Sequence, residues 1–207
     1  MEIKKLANNA LDFGINRFIE IIGITIILMG VLLFISLITF SPDDPNFIFP
    51  ESTQIQNFLG FRGSYSADLF FQSFGLITLL IPFSLFFTGI NIILNKKIFL
   101  ILESNFFTIL YLLFGSLFFS FFYSDAFGLY INGNGGFFGR YLEMTPITTL
   151  IKFNPIFAYY FLILLIIFLF LISVQFKLNS FYGFIKYILK FLFFKKEKNY
   201  TDKNEII

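Results

Sequence analysis

Two side chains that carry much of enzyme chemistry are missing from this 207-residue chain, which contains no cysteine and no histidine. Without cysteine there are no disulfides and no thiolate metal sites, and the redox compartment leaves no mark on the sequence. Without histidine the commonest general base, the commonest metal ligand and the Ser-His pairing of nucleophilic catalysis are excluded together. Charge is scarce as well. Only 14% of residues are Asp, Glu, Lys or Arg, against roughly a quarter in soluble domains. Arginine occurs three times, as Arg17, Arg62 and Arg140. What fills the chain is apolar: 57% of residues are hydrophobic and 36 are Phe. With Ile, Lys and Asn also abundant, that Phe excess fits AT-rich coding better than its alternative, selection for bulky packing.

A helix rises about 1.5 Å per residue and a bilayer core is about 30 Å thick, so a span needs about 20 residues without charge. Four runs qualify, at about 21–40, 69–94, 106–122 and 156–174, and every Asp, Glu, Lys and Arg lies outside them. The composition and the runs predict an all-α integral membrane protein of four transmembrane helices. A cytoplasmic leader, 1–20, precedes the first run. That run is too long for a signal peptide, and no small-residue cleavage site follows it, so it reads as an uncleaved anchor. Pro82, near the middle of the second run, predicts a kink there. Glu103 sets the start of the third, with 98–102 as an interfacial approach.

Lysine and arginine are unevenly placed. Three precede the first run, one lies in the first loop, two in the second and two in the third, and seven follow the fourth. Alternate segments therefore hold twelve and three, and the positive-inside rule predicts both termini in the cytoplasm, N-in and C-in. A fifth apolar stretch, 175–194, contains Lys186 and Lys190, each costing about 2.5–3.5 kcal/mol at a bilayer centre. It reads instead as an amphipathic basic helix lying in the interface, with Lys186, Lys190, Lys195 and Lys196 at the membrane surface. The tail 195–207 reads as disordered. Lysines interleaved with Phe, Ile and Leu point to a lipid surface, and no direct nucleic-acid binding is expected.

The candidate motifs are conformational. Ser41-Pro42-Asp43-Asp44-Pro45 sets two carboxylates just beyond the first span; prolines and aspartates in this order end a helix and form a turn. The glycine-rich stretch from Gly133 to Arg140 does not match a dinucleotide loop, and no Gly-Lys pair exists for a phosphate-binding loop. It reads as a turn leading into a short interfacial helix ending near Leu142. Inside the spans the polar groups are amides and hydroxyls such as Gln72, Ser73, Thr78, Ser84, Thr88 and Asn91, with none of the buried charges that mark ion-coupled carriers. Gly23 and Gly30, and Gly75, Thr78 and Gly89, suit close helix packing. No catalytic residue, cofactor site or metal site is expected.

In order and placement these landmarks resemble the N-terminal four-helix membrane domain of the FtsK/SpoIIIE DNA translocases. The resemblance rests on Leu37-Ile-Thr-Phe-Ser-Pro-Asp-Asp-Pro45, Asn57-Phe-Leu-Gly60, the stretch Gly63 to Gly75 with Asp68 inside it, Pro82, and Gly135-Gly136-Phe-Phe-Gly139-Arg-Tyr-Leu142. It implies a membrane anchor in the bacterial inner membrane at the division septum, acting in cell division and chromosome segregation. It also implies contacts with itself as a homo-oligomer and with division-site membrane proteins. The family's ATPase motor does not follow within 207 residues, so a separately encoded motor ATPase, an anchor-only relative or a fragment is implied. The other reading of the residues is an accessory four-helix subunit of a transporter or envelope-assembly complex.

Overall fold

Hydrocarbon offers no partner to backbone N–H and C=O groups, so a chain this apolar satisfies them within helices. The computed structural model describes residues 2–45, 54–124, 132–176 and 186, with side chains from residue 9 onward. Among the described residues it is helical with no strand. The helices are α1 (Glu2–Ile38), α2 (Gly60–Phe74), α3 (Ile81–Asn95), α4 (Leu100–Phe122), α5 (Gly136–Glu143), α6 (Ile147–Phe153) and α7 (Pro155–Ser173), with a 3-10 segment, Gly75–Leu80, between α2 and α3. Four stretches are long and apolar enough to cross a membrane: Asn9–Ile38, Gly60–Asn95, Leu100–Phe122 and Pro155–Ser173. The chain divides into a unit Met1–Gln175 and a unit Phe176–Ile207. The expected amphipathic helix and tail fall in the second unit, outside the described residues except for Phe176 and an exposed, helical Lys186.

The boundaries differ from the sequence expectation for physical reasons. The leader does not stand apart from the first span: α1 runs unbroken from Glu2, because no proline interrupts it and its one early glycine, Gly14, lies in open space. Helix α4 takes in 100–105, with Glu103 in its first turn, where a carboxylate favours the helix dipole. Helix α7 starts at Pro155, and the Asn154 side chain caps it by accepting the Phe157 N–H at 3.1 Å.

At Pro82 the chain passes from the 3-10 segment into α3, so the proline opens a helix instead of standing inside one. Pro82 sits in the first turn of α3, where a missing N–H costs nothing. The interruption begins seven residues earlier, at Gly75, whose backbone is left-handed at φ 72°.

Two antiparallel pairs form the bundle. On the α1–α3 seam Gly23 lies against Gly89 and Gly30 against Pro82, so close that a Cβ on Gly23 would be 2.9 Å from the Gly89 carbonyl oxygen. These glycines act as the sequence suggested. In the α4–α7 pair the Tyr111 ring meets Phe170 edge-on at 5.7 Å, and Phe118 meets Tyr159 at 5.3 Å. Tyr111, Leu112, Leu117, Ile166 and Leu169 are buried between them. Helix α3 joins the pairs through hydroxyls: Ser84 Oγ bonds the Tyr111 hydroxyl at 3.0 Å and accepts from Ser173 Oγ at 2.8 Å, while Thr108 and Ser173 bond at 2.9 Å. Thr88 also bonds Ser104.

Candidate functional site

The connections at the end of the bundle where α1 finishes and α7 begins are held by side chains, and most of the motif residues singled out in the sequence lie there. A loop at a membrane surface carries backbone groups that no helix satisfies, so polar side chains must reach them. Asp44 does so. The turn at Ser41 closes with the Asp44 N–H on the Ser41 carbonyl at 3.2 Å. The buried Asp44 carboxylate then accepts the N–H groups of Gln56 and Asn57 at 2.7 and 2.8 Å. Pro42 and Asp43 stay exposed on the same turn.

Asn57 extends the clamp. Its amide donates to the carbonyls of Ser36 (2.8 Å) and Thr39 (3.3 Å) at the end of α1. In return Ser36 Oγ donates to the Gly63 carbonyl at 2.6 Å, and Ser64 Oγ donates to the Pro45 carbonyl at 2.9 Å. A side chain on Gly63 would collide with Asn57. Leu37, Ala67 and Phe71 close the apolar side of this junction.

The second half of the site is where the glycine-rich stretch meets the break at Gly75. The Leu76 N–H, released from α2, donates to the Asn134 carbonyl at 2.9 Å. Asn132 donates to the Gln72 backbone carbonyl and side chain at 3.3 and 3.2 Å, and Gln72 in turn reaches buried Asp68 at 3.4 Å. Asn134, fully buried, donates to the Tyr123 carbonyl at 2.5 Å.

Glycine is required twice here. Gly75 is left-handed, and a Cβ on it would overlap the Asn134 carbonyl. Gly136, at φ 65°, would place one 2.5 Å from the Gly75 nitrogen. Gly135 and Gly139 meanwhile let α5 lie directly on Ser116 and Ser120 of α4.

Of the residues marked in the sequence, Ser41 to Pro45, Gly63, Asp68, Gly75, Gly135, Gly136 and Gly139 thus gather at one end. Pro82 lies within the bundle facing Gly30. Lys186 is exposed, and Lys190, Lys195 and Lys196 lie outside the described residues. Sequence reasoning missed Ser36 and Asn132, and it marked Asn57 and the stretch holding Asn134 without their hydrogen-bonding roles. Their partners are up to sixty residues away, and the only local signal is an amide beside a glycine-bearing turn. Among the described residues no group of three Asp or Glu side chains is placed to hold a metal ion. The arrangement can fix a shape.

Four spans with a polar, glycine-dependent cap define a multi-pass membrane domain. Residues 16–186 match the family described as the 4TM region of DNA translocase FtsK/SpoIIIE, and the chain belongs to that family. It is therefore a multi-pass inner-membrane protein. It is similar to the DNA translocase FtsK of Rickettsia bellii (strain RML369-C), with 33% identity over 82 residues, which is 38% of this chain and 11% of that protein. The match thus spans about a ninth of the relative's length. No solved structure matches the chain.

Proposed function

We propose that the chain is the membrane-anchor domain of an FtsK-like DNA translocase and acts in cell division and chromosome segregation. It anchors and assembles rather than catalyses. The observation that supports this reading is the built end of the bundle: eleven of the residues on which the resemblance rests lie at one end, among the hydrogen bonds of Asp44, Asn57, Asn132 and Asn134, and Phe58 and Pro42 are exposed there. In this reading the cap faces outward and both termini face the cytoplasm, as the lysine and arginine distribution requires. The anchor oligomerises, contacts division-site membrane proteins and holds a motor ATPase at the septum.

Green fluorescent protein fused after Ile207, imaged in dividing cells, tests the proposal. A band at the septum is the expected result. An even fluorescent rim would move the chain to an accessory-subunit role, and a stable but dark fusion would overturn the inward C-terminus.

A further inference from the structure

Between α4, α5 and α6 opens a pocket of about 420 Å³, lined by Phe121, Arg140, Glu143, Met144, Thr148 and Lys152. Its charges do not cancel. Glu143 is turned onto α4, where a carboxylate oxygen accepts from Ser120 Oγ at 2.8 Å, and its backbone carbonyl takes the Thr148 hydroxyl. Neither Arg140 nor Lys152 has an ion-pair or hydrogen-bond partner among the described residues, and both are exposed. Two cations therefore face one carboxylate that is already engaged.

The surroundings are apolar. Phe137 and Tyr141 on α5 and Met144 just after it are exposed, and on α6 Leu150 and Phe153 are 75% and 91% exposed. Both short helices connect the ends of spanning helices, so they lie at headgroup depth, where aromatic and aliphatic side chains enter the leaflet. Arginine grips phosphate oxygens in a bidentate fork and lysine adds a point charge.

We infer that this pocket binds the headgroup of an anionic phospholipid, with its phosphate between Arg140 and Lys152 and its acyl chains against the apolar faces of α5 and α6. The charge balance selects an anionic over a zwitterionic lipid. This inference is independent of any role in division.

The test is native mass spectrometry of the full chain released from nanodiscs holding equal phosphatidylglycerol, phosphatidylethanolamine and phosphatidylcholine. Phosphatidylglycerol should be retained over the other two. Arg140→Gln and Lys152→Gln should each lower that retention roughly fivefold, as expected for a cation near an anionic surface. Arg140→Lys with Lys152→Arg should restore most of it, which separates lost charge from misfolding, and Lys97→Gln at the opposite end should leave it unchanged. Equal retention of the three lipids would overturn the inference, as would retention indifferent to both substitutions or complete displacement of the lipid by inorganic phosphate.

Discussion

The two ends of the bundle are held together by different chemistry. At the capped end, side-chain amides and a carboxylate take backbone groups: Asp44 on the N–H groups of Gln56 and Asn57, Asn57 on the Ser36 carbonyl, Asn132 on the Gln72 carbonyl. Towards the other end, α3, α4 and α7 are joined by side chain to side chain, through Ser84, Thr108, Tyr111 and Ser173. The reason is the backbone. Inside a spanning helix the backbone N–H and C=O groups are already paired, so side chains link neighbours there; where helices end, orphaned backbone groups need partners, and the Val174 carbonyl after α7 takes the Asn91 amide at 3.2 Å. Losing a partner at the cap strands a buried group, whereas losing a hydroxyl in the bundle removes one weak contact.

The sharpest way to break this asymmetry is at Gly136. A leucine there must adopt a left-handed backbone and displace the chain at Phe74 and Gly75. Strain of this kind costs about 1–3 kcal/mol before any overlap is counted. The Gly136→Leu protein should show a clearly lowered thermal midpoint by circular dichroism in detergent, while Gly14→Ala, in open space, should lie within a few tenths of a kcal/mol of the parent or above it. If the proposed function holds, Gly136→Leu should also lose oligomer formation and septal recruitment.

Asp44→Ala comes next. It leaves the buried Asn57 N–H and the part-buried Gln56 N–H without a charged acceptor, at a cost of about 1–3 kcal/mol. Hydrogen exchange should quicken at Gln56 and Asn57 and stay unchanged in the middle of α4 and α7. Uniform quickening would mean that cap and bundle unfold as one.

Gly89→Val is the intermediate case, because it acts inside the bundle by bulk alone. The new side chain would meet the Gly23 carbonyl and Ile27 of α1, and overpacking of this kind costs about 1–3 kcal/mol. A cysteine pair placed across the α1–α3 seam, clean in a chain without cysteine, should cross-link more slowly in the variant.

These differences also mark what the sequence could reveal. Spans were legible because uncharged runs are counted directly, and the Gly23, Gly30 and Gly89 seam because small residues recur on helices that must touch. Proline is the visible signal of the break in the second span, and Pro82 does stand where α3 begins, but the 3-10 segment before it opens at Gly75. Gly75 takes its left-handed backbone only where Asn134 and Gly136 dock on it, a contact across sixty residues that no local pattern announces. Likewise Ser41 to Pro45 was legible as a turn, but not the hold of Asp44 on Gln56 and Asn57, since that depends on where α2 starts. The residues were visible; their pairing was tertiary.

The smallest expected effect tests the other side of the comparison. Tyr111→Phe removes the hydroxyl that meets Ser84 while its ring stays buried against Phe170. Interhelical hydrogen bonds in membranes average about 0.6 kcal/mol, because the unfolded chain in lipid also finds partners. Tyr111→Phe should therefore cost about that much, and Ser173→Ala, which frees both Ser84 and Thr108, little more. Ser84 links the two sites, so the double variant measures whether the hydroxyls act as a chain. Independent tuning contacts predict a coupling below about 0.5 kcal/mol. A coupling well above that would make the hydroxyl cluster a cooperative lock, and the contrast between a cap that holds and a bundle interior that only adjusts would no longer stand.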